Sequence, residues 1–264
     1  MAHIELSERD AGAAREVLAM AVPDQATYVW TLTDEQIAVL DDPDAPQLAD
    51  QTWLSERLGD PPNVEMFVLA QEVALRGLVA SGDVQIAVDG EQITEVTARP
   101  QITGSLVLRR LGNAVLRVAR VTAETATVAY CYVLDEGQIF EETVDENGMH
   151  EFSIYSPDLW GARIADFLDP AEGAGLGEID EVGSADMFAA EAEERPELGQ
   201  AVAVSNLTAV LRDQDLPRVA TVFSSQAGTY WLREEDQEAQ TMRLTGIDRT
   251  GLERLAQDLT RRSA

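Results

Sequence analysis

The chain has 264 residues, 45% of them apolar, which is enough for a sizeable core, and it carries a net charge of −29. Such acidity repels phosphate backbones and anionic head groups, so neither nucleic acid nor a membrane surface is expected as a partner. No run approaches the roughly 18 apolar residues of a membrane span, and Met1-Ala-His-Ile-Glu-Leu lacks the features of a signal peptide; a cytoplasmic protein without membrane insertion is expected.

Ser7, with Asp10 three residues on, caps a short helix running to about Met20. Thr27–Leu32 reads as a strand, being rich in β-branched and aromatic residues. Thr33 and Gln36 cap a second short helix, and Pro46–Leu58 forms another before Pro61-Pro62 breaks the chain. From Asn63, the residues Met66, Phe67, Ala70, Val73, Ala74 and Leu78 recur at helical spacing as far as Gly82. Val84–Val88 and Gln92–Val96 flank Asp89-Gly90, the signature of a type I′ hairpin whose two central residues take positive φ. Pro100 opens a helix that runs through Leu111.

Val115–Val121 and Val128–Leu134 then alternate as strands. Tyr130 and Tyr132 point to one face and Cys131 and Val133 to the other, so a sheet covered by helices on both sides is expected. Cys131 is the single cysteine; it reads as a buried structural thiol and allows no disulfide within the chain.

From here the sequence repeats itself. Gly137–Leu168 lies over Gly228–Leu259 at an offset of 91 residues. Each copy has a strand with two adjacent large apolar residues (Ile139-Phe140, Tyr230-Trp231), a polar turn, a second strand, an Asp at a helix start (Asp158, Asp248) and a helix. In the helices Ile164, Ala165 and Leu168 fall on Leu255, Ala256 and Leu259. With the strands upstream, residues 126–168 and 217–259 read as two β-β-β-α units. The expected fold is α/β (α+β): a central, largely antiparallel sheet between helical bundles, in two quasi-twofold halves. The N-terminal half takes residues 1–168 and the C-terminal half 196–264. Between them, residues 169–195 form an acidic Gly-rich connector, and the composition of Asp169–Leu198, ten acidic residues against one Arg, marks it. Pro196–Arg212 reads as a long helix.

Residues fit for catalysis do not assemble in the sequence. His3 and His150 stand far from any zinc signature, and neither Ser153 nor Ser156 occupies a nucleophile elbow. Asp145-Glu146-Asn147-Gly148 lacks calcium-loop spacing and reads as a hairpin turn, and no strand leads into Gly173-Ala-Gly175-Leu-Gly177, as a dinucleotide fingerprint requires. No catalytic, metal or cofactor residue is assigned, and neither a small-molecule substrate nor enzymatic activity is expected. Phe140, Trp160 and Trp231 read as core aromatics in preference to partner-binding anchors.

The segment Val222-Phe223-Ser-Ser-Gln-Ala227-Gly228-Thr-Tyr230-Trp-Leu, followed by a turn, a strand and a closing helix, resembles the C-terminal pattern of the EspG family, cytosolic chaperones of bacterial type VII (ESX) secretion. Phe223, Ala227, Gly228 and Tyr230 match that pattern; Thr229 replaces its usual Arg, and Ser225 stands where an acidic residue is frequent. Ala74-Leu-Arg76-Gly77-Leu78-Val79 resembles the family's Arg-Gly-Leu helix end. The resemblance implies a non-catalytic role: binding the apolar helical tip of a PE–PPE pair and keeping it soluble for export. It also implies that the hairpin tip, Asp89, Gly90 and Glu91, lies at or near the partner surface. A non-enzymatic adaptor with another client is the alternative reading.

Overall fold

In the computed structural model ten strands form one antiparallel sheet and two more a separate hairpin. The structure describes residues 6–41, 63–90, 92–168, 180–184, 187, 201–212, 214, 216–225, 228–236 (backbone only) and 241–261. The helix expected over Pro46–Leu58, the Pro61-Pro62 break, His3, Glu91, Gly173–Gly177 and Ala227 lie outside them.

The large sheet consists of β1 (Thr27–Thr33), β4 (Ala114–Thr122), β5 (Ala126–Val133), β6 (Ile139–Val144), β7 (Met149–Tyr155), β8 (Asp180–Ser184), β9 (Ala203–Leu211), β10 (Arg218–Ser225), β11 (Gly228–Asp236) and β12 (Thr241–Gly246). Its order is β1-β7-β6-β5-β4-β9-β10-β11-β12-β8. Two meanders therefore stand side by side, joined where β4 pairs with β9, and Val118 faces Leu207 at the middle of that ladder. Each meander ends beside a strand that precedes it in the chain, β1 on one edge and β8 on the other.

Helices cover both faces. Against one face lie α1 (Glu8–Leu18), α2 (Asp34–Leu40), α3 (Val64–Ser81) and α4 (Pro100–Leu111), whose core includes Val17, Ile37, Leu78 and Ile102 with Tyr132, Phe140 and Phe152 of the sheet. Against the other lie α5 (Pro157–Leu168) and α6 (Arg249–Thr260), packed on Leu116, Cys131, Leu207 and Val222. The faces divide as β5 predicts: Tyr132 enters one core and Cys131 the other. Burial pushes the Cys131 thiol far up, so it stays protonated and inert.

The expected caps form. Ser7 and Asp248 accept backbone N–H groups three residues ahead, Thr33 and Gln36 make a reciprocal capping box, and Asn63 caps α3, which Gly82 closes at φ +79°. The first helix stops at Leu18, two residues short of expectation.

Four expectations need correction. Residues 203–211, expected within a helix from Pro196 to Arg212, form the central strand β9. Their burial alternates residue by residue through Ala203, Ser205, Leu207, Ala209 and Leu211, and two ladders take up their backbone groups. Within the expected connector, Asp180–Ser184 form edge strand β8 on β12, where Arg243 donates to Asp180 at 2.6 Å; an edge strand needs only one partner ladder and so tolerates this polar sequence. In the hairpin of β2 (Val84–Asp89) and β3 (Gln92–Ala98), Asp89 pairs with Gln92, so Asp89 is the last ladder residue of β2 and not a central turn residue. Gly90 takes the positive φ, +64°, and Asp89 does not. Finally, the offset of 91 that puts Cys131 on Val222 does not hold along every strand. Phe140, opposite Tyr132, takes the ladder place held in the other meander by Tyr230, opposite Phe223, so this strand slips by one residue.

Candidate functional site

α3 is unusual among the helices for what it leaves uncovered. Its inward side carries Leu75, Leu78 and Val79, of which only Leu78 is fully buried. The next stripe, Met66, Leu69, Ala70, Val73, Ala74 and Gly77, keeps helical i, i+3, i+4 spacing but faces solvent: Met66 is 56%, Leu69 57% and Val73 57% exposed. The sequence pattern is thus correct as a helix and misleading as a core. Across from this stripe, Thr33, Glu35 and Gln36 at the start of α2 form a second wall, and between the two runs an open groove of about 520 Å³. Gln71 of α3 donates to the Ala38 carbonyl at 2.6 Å and ties the walls together. Contiguous exposed apolar surface of this kind marks an interaction site.

Directly after α3 comes the β2–β3 hairpin. Val84 anchors its base in the core, while Ile86, Val88 and Val96 are exposed farther out. Asp89 and Gly90 sit at its tip and are exposed.

Beneath α2 lies a cluster of charges. Glu142 of β6 is fully buried and accepts from His150 Nδ1 at 2.6 Å, Arg109 Nε at 2.9 Å and the Tyr132 hydroxyl at 2.8 Å. His150 Nε2 donates to Asp34 at 2.7 Å, Arg109 Nη1 reaches Asp41 at 3.2 Å, and Arg110 also pairs with Asp41. Burial alone would raise the Glu142 pKa, but Arg109 and the bonds from His150 and Tyr132 outweigh it and hold the carboxyl at about 2. Burial likewise opposes the charge on His150, yet hydrogen bonds to Asp34 and Glu142 raise it to about 9. Asp34 is pushed up by burial despite its bond to His150.

This cluster does not resemble a catalytic centre. His150 points to one face of β7 while Ser153 and Tyr155 point to the other, toward Glu141, so no Ser-His pair forms. Among the described residues no group of His, Cys, Asp and Glu is placed to hold a metal ion. Asp145 accepts from the Asn147 and Met149 amides, closing the expected hairpin turn with Gly148 at φ +72°.

Of the other residues singled out in the sequence, Phe140 and Trp160 are buried, which excludes both as partner anchors. Phe223 is half-buried at the end of β10, and Gly228 opens β11 opposite Ser225. The side chains of Tyr230 and Trp231 lie outside the described set. Sequence reading missed Asp34, Asp41, Arg109, Arg110 and Glu142. One signal was available: Glu141-Glu142 interrupts an apolar strand between strands covered on both faces, and carboxylates there need buried cations.

The architecture is an antiparallel sheet between helical layers. The chain matches the structure of the Mycobacterium tuberculosis type VII secretion system chaperone EspG5, solved in complex with a PE25–PPE41 dimer, at a TM-score of 0.55 and 11% sequence identity, over 91% of this chain and 98% of that one. At that identity the likeness is one of fold. No protein-family model and no curated protein matches the sequence.

Proposed function

We propose that this protein is a cytoplasmic, non-catalytic chaperone of the EspG kind, which covers the apolar helical tip of a PE–PPE-type pair and keeps it soluble for type VII secretion. The exposed stripe Met66, Leu69 and Val73 beside α2 carries the reading, because a monomer gains nothing from leaving such a stripe in water. A helical tip laid into the groove matches helix-in-groove recognition, with apolar anchors at i, i+3, i+4 and i+7. The fold shared with a chaperone solved with a PE–PPE dimer supports the choice of client, as do Phe223, Gly228 and the Arg76-Gly77-Leu78 helix end. Each large side chain buried would contribute about 1.5–3 kcal/mol before association costs.

The test is coexpression with PE–PPE pairs followed by calorimetry on the protein and on a Met66→Ser/Val73→Ser variant. Both side chains are exposed, so the variant's unfolding midpoint should stay unchanged while affinity falls at least about tenfold. Undiminished affinity in a folded variant would remove the groove from the binding surface. Failure of every PE–PPE pair to bind the intact protein would remove the client.

A further inference from the structure

Both ends of α2 are fastened by buried charges that converge on Glu142 of the sheet. Asp34, the first residue of α2, accepts a hydrogen bond from His150 Nε2, and Asp41, its C-terminal cap, accepts one from Arg109. His150 and Arg109 then both donate to Glu142. With Arg110 on Asp41, the cluster sets His150, Arg109 and Arg110 against Asp34, Asp41 and Glu142 among the described residues. A seven-residue helix has little stability of its own, so its place is set by what holds it. A buried ionic cluster is a costly way to gain stability, whereas it defines one geometry sharply. What α2 builds, on its other side, is the wall of the groove.

We propose that His150 and Arg109 are positioning residues for the binding surface: they hold α2 where Thr33, Glu35 and Gln36 face the α3 stripe and leave the groove open to a helical partner. This rests on the reading of the groove as the client surface. The groups that face the imidazole and its partners are Asp34, Glu35 and Asp41 on α2, Glu142 on β6, Tyr132 on β5 and Arg109 and Arg110 on α4, with Asp10 of α1 beside Arg110. When α2 lifts away, His150 loses Asp34 and meets water but keeps Glu142 of β6, so its pKa falls from about 9 part of the way toward its ordinary 6.5. The group's pKa is higher in the fastened state than in the released one, so its contribution is fully present below the released value and is lost as pH rises through about 9; between those values release of α2 becomes easier by up to about tenfold per pH unit. The fastening is therefore stronger at about pH 6 than at about pH 9.

Hydrogen-exchange protection of the Ile37–Asp41 amides, measured on the whole protein at about pH 6 and about pH 9 and corrected for intrinsic rates, tests this directly. Protection in the unaltered protein should fall between the two, by at most about a hundredfold. In His150→Gln, whose amide cannot donate to both carboxylates with a charge, protection should already be low at the lower pH and stay flat. Client affinity by calorimetry should follow the same pattern. Should His150→Gln fail to fold, Asp34→Asn should move the His150 pKa down from about 9 toward 6.5 in an NMR titration. Protection of α2 that ignores pH in the unaltered protein, or an unchanged His150 pKa in Asp34→Asn, would overturn the proposal. If α2 behaves as stated while no PE–PPE pair binds at any pH, the fastening holds and the client assignment falls.

Discussion

Gly161 shows how a single missing methyl group decides a helix contact. A Cβ built there would lie 2.6 Å from the Glu253 carbonyl oxygen of α6, a backbone atom that has nowhere to go, so α5 and α6 cross with their backbones in close approach. Gly77 is the opposite case: a Cβ there meets nothing within 4 Å, and the position lies on the open groove. Gly161→Ala is therefore expected to destabilise the protein by about 1–3 kcal/mol through overpacking. Gly77→Ala should stabilise it by roughly 0.5–1 kcal/mol, through helix propensity alone. Chemical denaturation of both variants decides the matter; equal effects would mean that the two helix surfaces are not the contact and the opening described. Residue identity alone could not separate these glycines, since each sits inside a helical pattern and the difference comes from a chain segment 92 residues away in one case and from empty space in the other. The same holds for Glu142, whose partners Arg109, Tyr132 and His150 come from three different elements.

Elements with local causes were legible in the sequence. The capping residues Ser7, Thr33, Asn63 and Asp248 mark the starts of four helices because a cap bonds amides two or three residues ahead, within the reach of local pattern. β9 was not legible, because Ala203-Val-Ser-Asn-Leu-Thr-Ala-Val-Leu satisfies both a helical and an alternating pattern. The choice was made by β4 and β10, which offer ladders on both of its sides. α3 was legible as a helix, and its solvent-facing stripe was not, since periodicity reports an apolar face but not what covers it. The adjacent hairpin carries a further expectation: Gln85–Gly90, Gln92 and residues 94–96 are exposed, so replacing residues 86–96 by a minimal turn should leave the unfolding midpoint unchanged. If Ile86, Val88 and Val96 meet the client, that replacement lowers client affinity. Unchanged affinity would confine the binding surface to α2 and α3.

At the scale of the whole molecule, the order β7-β6-β5-β4-β9-β10-β11-β12 places two similar meanders about the Val118–Leu207 pair, and this supports, as a proposal, descent of the two halves from one duplicated unit. The ladders also show that a fixed offset of 91 does not run through the entire alignment, since the β5–β6 and β10–β11 registers differ by one residue. A net charge of −29 surrounds this frame, and it bears on how a client is held. Were attraction between opposite charges the source of affinity, salt would weaken the complex steeply, because exposed charges are screened within about 10 Å at ordinary ionic strength. The groove instead presents Met66, Leu69, Val73 and two alanines, with Glu35 at its rim, so apolar contact dominates what a partner gains there. The acidic surface then acts mainly on the rate of encounter. Titration of a PE–PPE-type pair at low and at high ionic strength is expected to give dissociation constants within about tenfold of each other, with the change in the association rate. It should also give a negative heat-capacity change, the mark of buried apolar surface. A complex that dissolves at moderate salt, or a heat-capacity change near zero, would place the affinity in the charges and not in the α3 stripe.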